Sequence, residues 1–481
     1  MTMSPEPIES PRNPGARFQA PFAAAALWCA LTAIVAAISA SVYFSTGTQG
    51  FAELIEEGPF SDLRLTLYSV ALCWMLAGVF IALLCFRRIH AGNGVTLACF
   101  FGVSLLYVNV LRERLGYGDI HDYIQAALNL HYGHPVHARY LYPPLWATLL
   151  QPLVPLGGRA MFDVCWLLNL LSLFAFYLLL QLTLQRYGFS SRLSALATFV
   201  FMVVNVPILR TLCYVQVNLH VTNLILMSLV VYPRSRFLSA LALSLAVHLK
   251  ASPIVLALAF LLARDVRWVA WFVLCTLSVA AGTVAINGLS PYRDFVSNVQ
   301  FLLSEKRRPV FRENSIDSFL RASSEWLKIE HATTRGLITA GKLGLTAAVL
   351  ALTVLCVKRR TFHEGDNRGN VLYNAAPPLL VLMTMTAPLV WEHHPVFLAL
   401  PYLVLLRDLD SARDWLWFGL AYFLEFLLPT FDFFPWSYGR LASPFIWLAL
   451  AWSLSHKPCP STLFMRANRW LTTAALAPDG R

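Results

Sequence analysis

Charge is scarce in this chain. Only 13% of its 481 residues are Asp, Glu, Lys or Arg, and 57% are hydrophobic, whereas soluble domains carry roughly 25% charged residues. The shortfall runs along the whole length, which excludes an ordinary soluble enzyme and implies a polytopic membrane protein. Paired cysteines are also missing. None of the nine Cys forms a C-x-x-C motif, so neither a zinc site nor a disulfide framework is expected. Most of them sit in apolar runs as small polarizable filler. The chain has no phosphate-cradling Walker pattern and no dinucleotide-type glycine pattern. No obvious internal repeat, of the kind that builds many transporters, stands out. The net charge of +11 calls for no nucleic-acid partner, because Lys and Arg collect in the cytoplasmic loops of membrane proteins.

What is present is a series of apolar runs, each near the length of about 20 residues that crosses a bilayer. Clear candidates are Phe22–Phe44, Leu65–Phe86, Val95–Leu111, Met161–Leu184, Leu193–Leu209, Val217–Tyr232, Trp268–Ile286, Leu337–Val357, Val371–Val390 and Trp415–Leu428. Shorter runs are Phe237–His248, Ile254–Ala263, Val396–Leu406 and Ser443–Leu454. The expected fold is an all-α integral membrane bundle of roughly twelve to fourteen spans, the short ones buried or paired as hairpins. Residues 1–20, rich in Pro and polar side chains, read as a disordered cytoplasmic tail. The apolar run that follows is too long for a signal-peptide core and reads as a first true span.

Positive clusters set the sidedness. Arg87–Arg88, Arg264–Arg267, Lys358–Arg360, Arg407–Arg413 and the region of Arg466 and Arg469 fit the cytoplasm. Alternation then puts the segment after residue 111, the long loop 289–335 and the Trp391–His394 turn outside. Tyr142–Leu156 either crosses or lies flat on the outer leaflet. The flat reading is preferred, because it turns Gln216, Asn218 and Lys250 to the same outer side.

The segment Gly116–Pro144, GYGDIHDYIQAALNLHYGHPVHARYLYPP, carries Asp119 and Asp122 next to apolar spans. An acid at the mouth of a membrane protein is costly to place and marks a functional site by default. If the stretch is helical, Asp122 shares a face with Asp119; capping of a helix start is the alternative role for Asp119. Lys250 is a lone cation in a long apolar stretch, either partnered for function or snorkelling to the headgroups. His393 and His394 follow an apolar span in Trp-Glu-His-His, and Lys306, Arg307, Arg308 and Arg312 cluster in the long loop. His121, His131, His134 and His137 match no zinc signature, and no metal is expected. Asn314 and Ser315 suit hydrogen bonding to a ligand or a turn or helix cap equally well.

In order and sidedness these landmarks resemble the GT-C superfamily of membrane glycosyltransferases. More narrowly they resemble glycosyltransferase family 87, of bacterial polyprenyl-phosphate-mannose-dependent mannosyltransferases. The matching pieces are GDIHDYIQAALNLHYGHP with YLYPPLWATLLQPL, CYVQVNLHVTNL, HLKASPIVLALAFLLARDVRW, SPYRDFVSNV, RENSIDSFLRAS and PLVWEHHPVFLALPYLVLL, within about residues 95 to 407. The family pattern Gly-Gln-x-Asn is met by Gln216 and Asn218, but Val215 precedes Gln216 and Tyr214 stands where glycine is common.

The resemblance implies a GT-C module over 95–288, with its catalytic outer loop over 112–160. Two additional spans precede it over 21–94; the long outer loop 289–335, further spans over 336–456 and a cytoplasmic tail over 457–481 follow. It implies transfer of a hexose, most simply mannose, from a polyprenyl-phosphate donor to a hydroxyl of a glycan or glycolipid acceptor. Transfer would occur with inversion, at the extracytoplasmic face of a bacterial inner membrane and without a cofactor. Asp119 would be the general base. Asp122, Tyr142, Gln216, Asn218, Asn314 and Ser315 would bind sugar or support the base, and Lys250, His393, His394, Arg307 and Arg308 would meet the donor phosphate. A transporter or flippase of lipid-linked sugars is the rival expectation.

Overall fold

The computed structural model describes residues 118–473 except 137–139, 304–312, 360–366, 429–433 and 458–459, with scattered positions from 25 to 47 and Gly78. The expected spans Leu65–Phe86 and Val95–Leu111, residues 1–20, and the cations Lys306, Arg307, Arg308 and Arg312 lie outside the described residues. Among those described there is no strand, and the positions between 25 and 47 are helical.

The chain runs through α1 (Gly118–His131), α2 (Leu145–Leu150) with a 3-10 extension (Gln151–Leu156), α3 (Gly157–Arg186), α4 (Ser191–Val203), α5 (Val206–Cys213), α6 (Asn218–Val231) and α7 (Arg236–Leu249). A 3-10 turn (Ser252–Leu256) leads into α8 (Ala257–Leu262), then α9 (Val266–Asn287), α10 (Ser290–Leu303), α11 (Ile316–Trp326), α12 (His331–Arg359) and α13 (Asn367–Thr386). The 3-10 turn His394–Leu398 opens α14 (Ala399–Leu405), and α15 (Ala412–Tyr422), α16 (Ala442–Leu454) and α17 (Thr462–Thr473) complete the order.

Among the described residues, three stretches are long and apolar enough to cross a membrane: Leu145–Arg186, Val266–Asn287 and Thr333–Lys358. Their outer faces show why. On α3, Leu167, Leu171, Phe174, Leu178 and Leu182 are exposed while Leu173, Phe176, Leu180 and Leu184 are buried. The exposed set recurs every three or four residues, a stripe that only lipid covers favourably. The shorter α6 and α7 lie inside that frame. They are apolar all round and tied to neighbours through polar contacts, as buried helices in a bilayer require. Asn223 donates to the Ser172 carbonyl at 2.7 Å, Ser239 donates to the Ser228 carbonyl at 2.7 Å, and Trp268 Nε1 donates to Ser239 at 2.9 Å.

Two expectations are corrected. The run Leu193–Leu209 is not one straight crossing but two helices, α4 and α5, bent by 63°. Asn205 caps α5 by accepting from the Ile208 N–H at 2.9 Å, and Pro207 occupies its first turn. Pro disfavours helical backbone in the residue before it and removes a donor, so the ladder breaks there. Tyr422 donates to the Val204 carbonyl at the break, at 2.6 Å, so that backbone acceptor is not left bare. The segment 289–335 is not a long loop either. It folds largely into α10 and α11, both strongly amphipathic, and 3.6-residue periodicity outweighs its polar composition. The expected tail 457–481 likewise carries α17, anchored by Phe464 against Phe189.

Candidate active site

Helix ends build the site. Asp119 sits in the first turn of α1, Asn218 is the first residue of α6, Lys250 ends α7, and His394 starts the 3-10 turn into α14. Polar side chains at helix ends gather at one end of an apolar bundle without breaking the hydrogen bonds within it.

α7 stops at Lys250 because the backbone turns extended there, with φ −155° and ψ 124°, before Pro253. That throws the amine into the bundle. Its Nζ donates to Asn218 Oδ1 at 2.9 Å and lies 2.6 Å from His394 Nε2. The rings of Phe397 and Tyr142 lie 5.2 Å and 5.7 Å from it. The other nitrogen of His394, Nδ1, accepts from the Trp391 N–H at 2.9 Å. A neutral imidazole carries one proton, which must then be on Nε2, so His394 donates and Lys250 accepts as a free amine. Burial pushes the Lys250 ammonium down to about 7, opposed only in part by Asp119.

Asp119, with 43% of its side chain exposed, is the open member of the group, and its Oδ2 is 3.9 Å from Nε2 of the buried His393. That separation is too long for a hydrogen bond. An oxygen between the two atoms would reach both at about 2.8 Å. Burial holds His393 well below its ordinary value, and the nearby guanidiniums of Arg210 and Arg440 add to the effect.

The turn before α6 supplies Gln216 and Asn218. Val215 there has φ +51°, a left-handed backbone that is strained for a β-branched residue. Gln216 Oε1 accepts from the Tyr123 hydroxyl at 2.8 Å, which ties α1 to this turn. Asn218 Nδ2 donates to the His393 carbonyl at 3.4 Å. Tyr123 packs edge-on against Tyr142 at 5.3 Å. The α1–α2 connection is pinned from α10, where Asp294 accepts from the Val136 N–H at 3.0 Å and Asn298 donates to the Tyr140 carbonyl at 3.1 Å.

Asp119, Tyr142, Gln216, Asn218, Lys250, His393 and His394 therefore converge. Asp122 is half-buried, on the turn of α1 after Asp119. Ser315 is buried and used as a cap: its hydroxyl accepts from the Ser318 N–H at 3.1 Å and donates to Glu313 at 2.9 Å. Asn314 donates its backbone N–H to the Val390 carbonyl at 2.8 Å and lines a cleft beside the Trp391 turn. Arg307 and Arg308 are outside the described residues.

Sequence reading missed the buried charges behind the turn. Arg210 is fully buried, with Nε 2.8 Å from Glu392 Oε2 and Nη1 donating to Tyr214 at 3.2 Å. Arg440 Nη1 stands 4.0 Å from the other oxygen of Glu392. The clue was there, since Arg210 ends an apolar run much as Lys250 does.

A helical membrane protein with a carboxylate, an amine and two imidazoles gathered at one end is the class that fold and site define. The profile of glycosyltransferase family 87 matches residues 140–386, more than half of the chain, and the chain belongs to that family. The matched stretch contains Tyr142, Gln216, Asn218 and Lys250; Asp119, His393 and His394 flank it. No curated protein matches the chain, and no solved structure does.

Proposed function

We propose that this glycosyltransferase moves a hexose, most simply mannose, from a polyprenyl-phosphate carrier to a hydroxyl of a glycan or glycolipid, with inversion. The observation that carries the reading is the 3.9 Å spacing of the half-open Asp119 from the buried His393, whose ring packs against His394, the partner of Lys250. Asp119 takes the proton of the acceptor hydroxyl. The hydroxyl oxygen attacks the anomeric carbon on the face opposite the phosphate, and the bond from that carbon to the phosphate oxygen breaks. The electron pair leaves with the polyprenyl phosphate. Lys250, once protonated, and the N–H of His394 meet the developing charge. Tyr142, Gln216 and Asn218 line the sugar side, with Asp122 supporting Asp119.

The opposite end of α7 supports the sidedness. Arg236 pairs with Asp265 at 2.7 Å, so Arg234, Arg236, Arg264 and Arg267 gather one helix length from Lys250. Positive residues favour the cytoplasm, which supports the reading of a site at the extracytoplasmic face of a bacterial inner membrane. A lipid-linked donor suits that face.

The test is transfer of radiolabelled sugar from synthetic short-chain polyprenyl-phosphate-mannose by purified protein, wild type beside Asp119→Asn. Transfer lost in a folded variant supports the reading. Transfer that persists removes Asp119 from the role, and no transfer by wild type to any acceptor favours a carrier of lipid-linked sugars.

A further inference from the structure

α3 closes the crossing stretch Leu145–Arg186, so Arg186 marks the level at which the chain leaves the bilayer, at the end of α3 away from the site. α17 docks on the corner that follows, Tyr187–Ser190. Asn468 Oδ1 accepts from the Ser190 N–H at 2.6 Å, and its Nδ2 donates to the Gly188 carbonyl at 3.1 Å. Phe464 packs edge-on against Phe189 at 4.8 Å. Ser461, just before the helix, donates its N–H to the Arg407 carbonyl at 2.9 Å and accepts from the Phe464 N–H at 3.2 Å. The 12 residues of α17 make about 18 Å of helix, too short to cross roughly 30 Å of hydrocarbon. The helix is therefore held at the membrane surface, lying rather than crossing.

Its two faces differ. Phe464 and Asn468, four residues apart, form the docked one. Leu463, Arg466 and Arg469 recur every three residues and form an exposed ridge, with Leu463 42% and the neighbouring Met465 44% exposed. Apolar and basic side chains on one exposed surface mark a helix that lies in the headgroup layer. Arg192, in the first turn of α4, is exposed at the same corner, and the half-buried Arg186 precedes it. Neither α17 nor the segment 185–193 contains an Asp or Glu. Asp410, which accepts from Thr462 at 2.9 Å, sits at the start of α17, a turn before Arg466. Soluble anions would answer the arginines and leave Leu463 and Met465 bare to water. Neutral lipid would cover the apolar side chains and leave the guanidiniums without a counter-ion. A phospholipid with net negative charge does both, since guanidinium forks match phosphate oxygens.

We propose that α17 and the Tyr187–Ser190 corner form a binding surface for anionic phospholipid. Arg466, Arg469 and Arg192 meet the headgroups, and Leu463 and Met465 sit among the upper acyl carbons. The surface is a bundle length from Asp119 and Lys250, and it does not depend on the reaction they perform. Bound lipid fixes α17, and α17 fixes the corner between α3 and α4 through Asn468. A ligand held only by the folded chain stabilises it, so lipid charge at this surface adds to the stability of the bundle.

The experiment follows melting of the full chain in nanodiscs of phosphatidylcholine alone and of phosphatidylcholine with increasing phosphatidylglycerol. Wild type is compared with Arg466→Gln plus Arg469→Gln, with Arg466→Lys plus Arg469→Lys, and with Arg159→Gln. Arg159 is an exposed cation at the far end of α3, 3.5 Å from Asp163, and controls for overall charge. A basic residue near an anionic surface is worth about fivefold in affinity. The phosphatidylglycerol needed for half-maximal stabilisation should therefore rise about tenfold or more in the Gln pair, and stay within about twofold in the Lys pair and in Arg159→Gln. High salt should remove the preference in wild type. Each variant is read against itself in neutral lipid, so a variant that merely packs less well melts lower in both lipids and still reports the difference. No preference for phosphatidylglycerol in wild type, an unchanged preference in the Gln pair, or an equal loss in Arg159→Gln or the Lys pair overturns the proposal.

Discussion

The amine of Lys250 accepts a hydrogen bond from Nε2 of His394 at 2.6 Å, because Nδ1 of that ring is already occupied by the Trp391 N–H. In this arrangement the lysine is uncharged. Every group around it is consistent with that state: Asn218 accepts from it, His393 is neutral, Tyr142 and Phe397 are rings, and only Asp119 favours the cation.

An anionic donor must return the proton. With Lys250 lowered to about 7, the fraction already protonated falls as pH rises above that value. Donor binding then takes up one proton, and its apparent Kd rises by up to about tenfold per pH unit above 7. The measurement is equilibrium binding of radiolabelled polyprenyl-phosphate-mannose between pH 6.5 and 9, with Lys250→Met as the control, expected weak and flat. A wild-type profile equally flat across that range would refute the uncharged lysine.

Asp119→Asn keeps the shape of the side chain and removes its basicity. The residue is nearly half exposed, so melting should stay within the spread of surface substitutions, about 0.5 kcal/mol. Transfer should fall by about 10²- to 10⁴-fold, the usual worth of a positioned base. Asp122→Asn should lose far less. Equal losses in the two variants would mean that the carboxylates act as a unit rather than as base and support.

Glu392 stands between Arg210 at 2.8 Å and Arg440 at 4.0 Å, all three buried. Removing one partner of a buried pair costs more than the pair contributes, because a charge is left stranded. Glu392→Gln removes the carboxylate 2.8 Å from Arg210 while Arg440 keeps Glu425 nearby, and the expected loss is about 3–5 kcal/mol. Arg210→Met leaves Glu392 with Arg440 and should lose less. Thermal melting of both variants in nanodiscs checks the order, and a greater loss in Arg210→Met would reverse the assignment of the shared carboxylate.

Much of this was legible in the residues. Lys250, His393, His394 and Asp119 stand out because polar groups are rare in a chain this apolar, and rarity beside lipid signals use. Their partners were harder to see. Tyr123 is one aromatic among many, and only the register of α1 shows that its hydroxyl reaches Gln216. Arg440 and Glu425 come from the ends of different helices, and nothing in their spacing places them at one cleft. Ser315 illustrates the opposite limit: a serine before an amphipathic run suits a ligand or a cap equally, and local hydrogen bonding decided for the cap. The break in Leu193–Leu209 was written as Asn-Val-Pro, but its hydropathy alone reads as one span.

Val215 yields the last prediction. Its φ of +51° costs a β-branched residue on the order of 1–3 kcal/mol, and Val215→Gly removes that strain. The same change forfeits about 1.5–3 kcal/mol of buried side chain, since Val215 is 2% exposed. The two effects nearly cancel, so Val215→Gly should melt close to wild type. Val217 is the matched control: it is equally buried at 1% and has an unstrained φ of −69°. Val217→Gly recovers no strain and loses the full burial, so it should be less stable than Val215→Gly by about 1–3 kcal/mol. Paired melting curves give the difference directly. Equal destabilisation of the two variants would mean that the turn before Gln216 carries no strain.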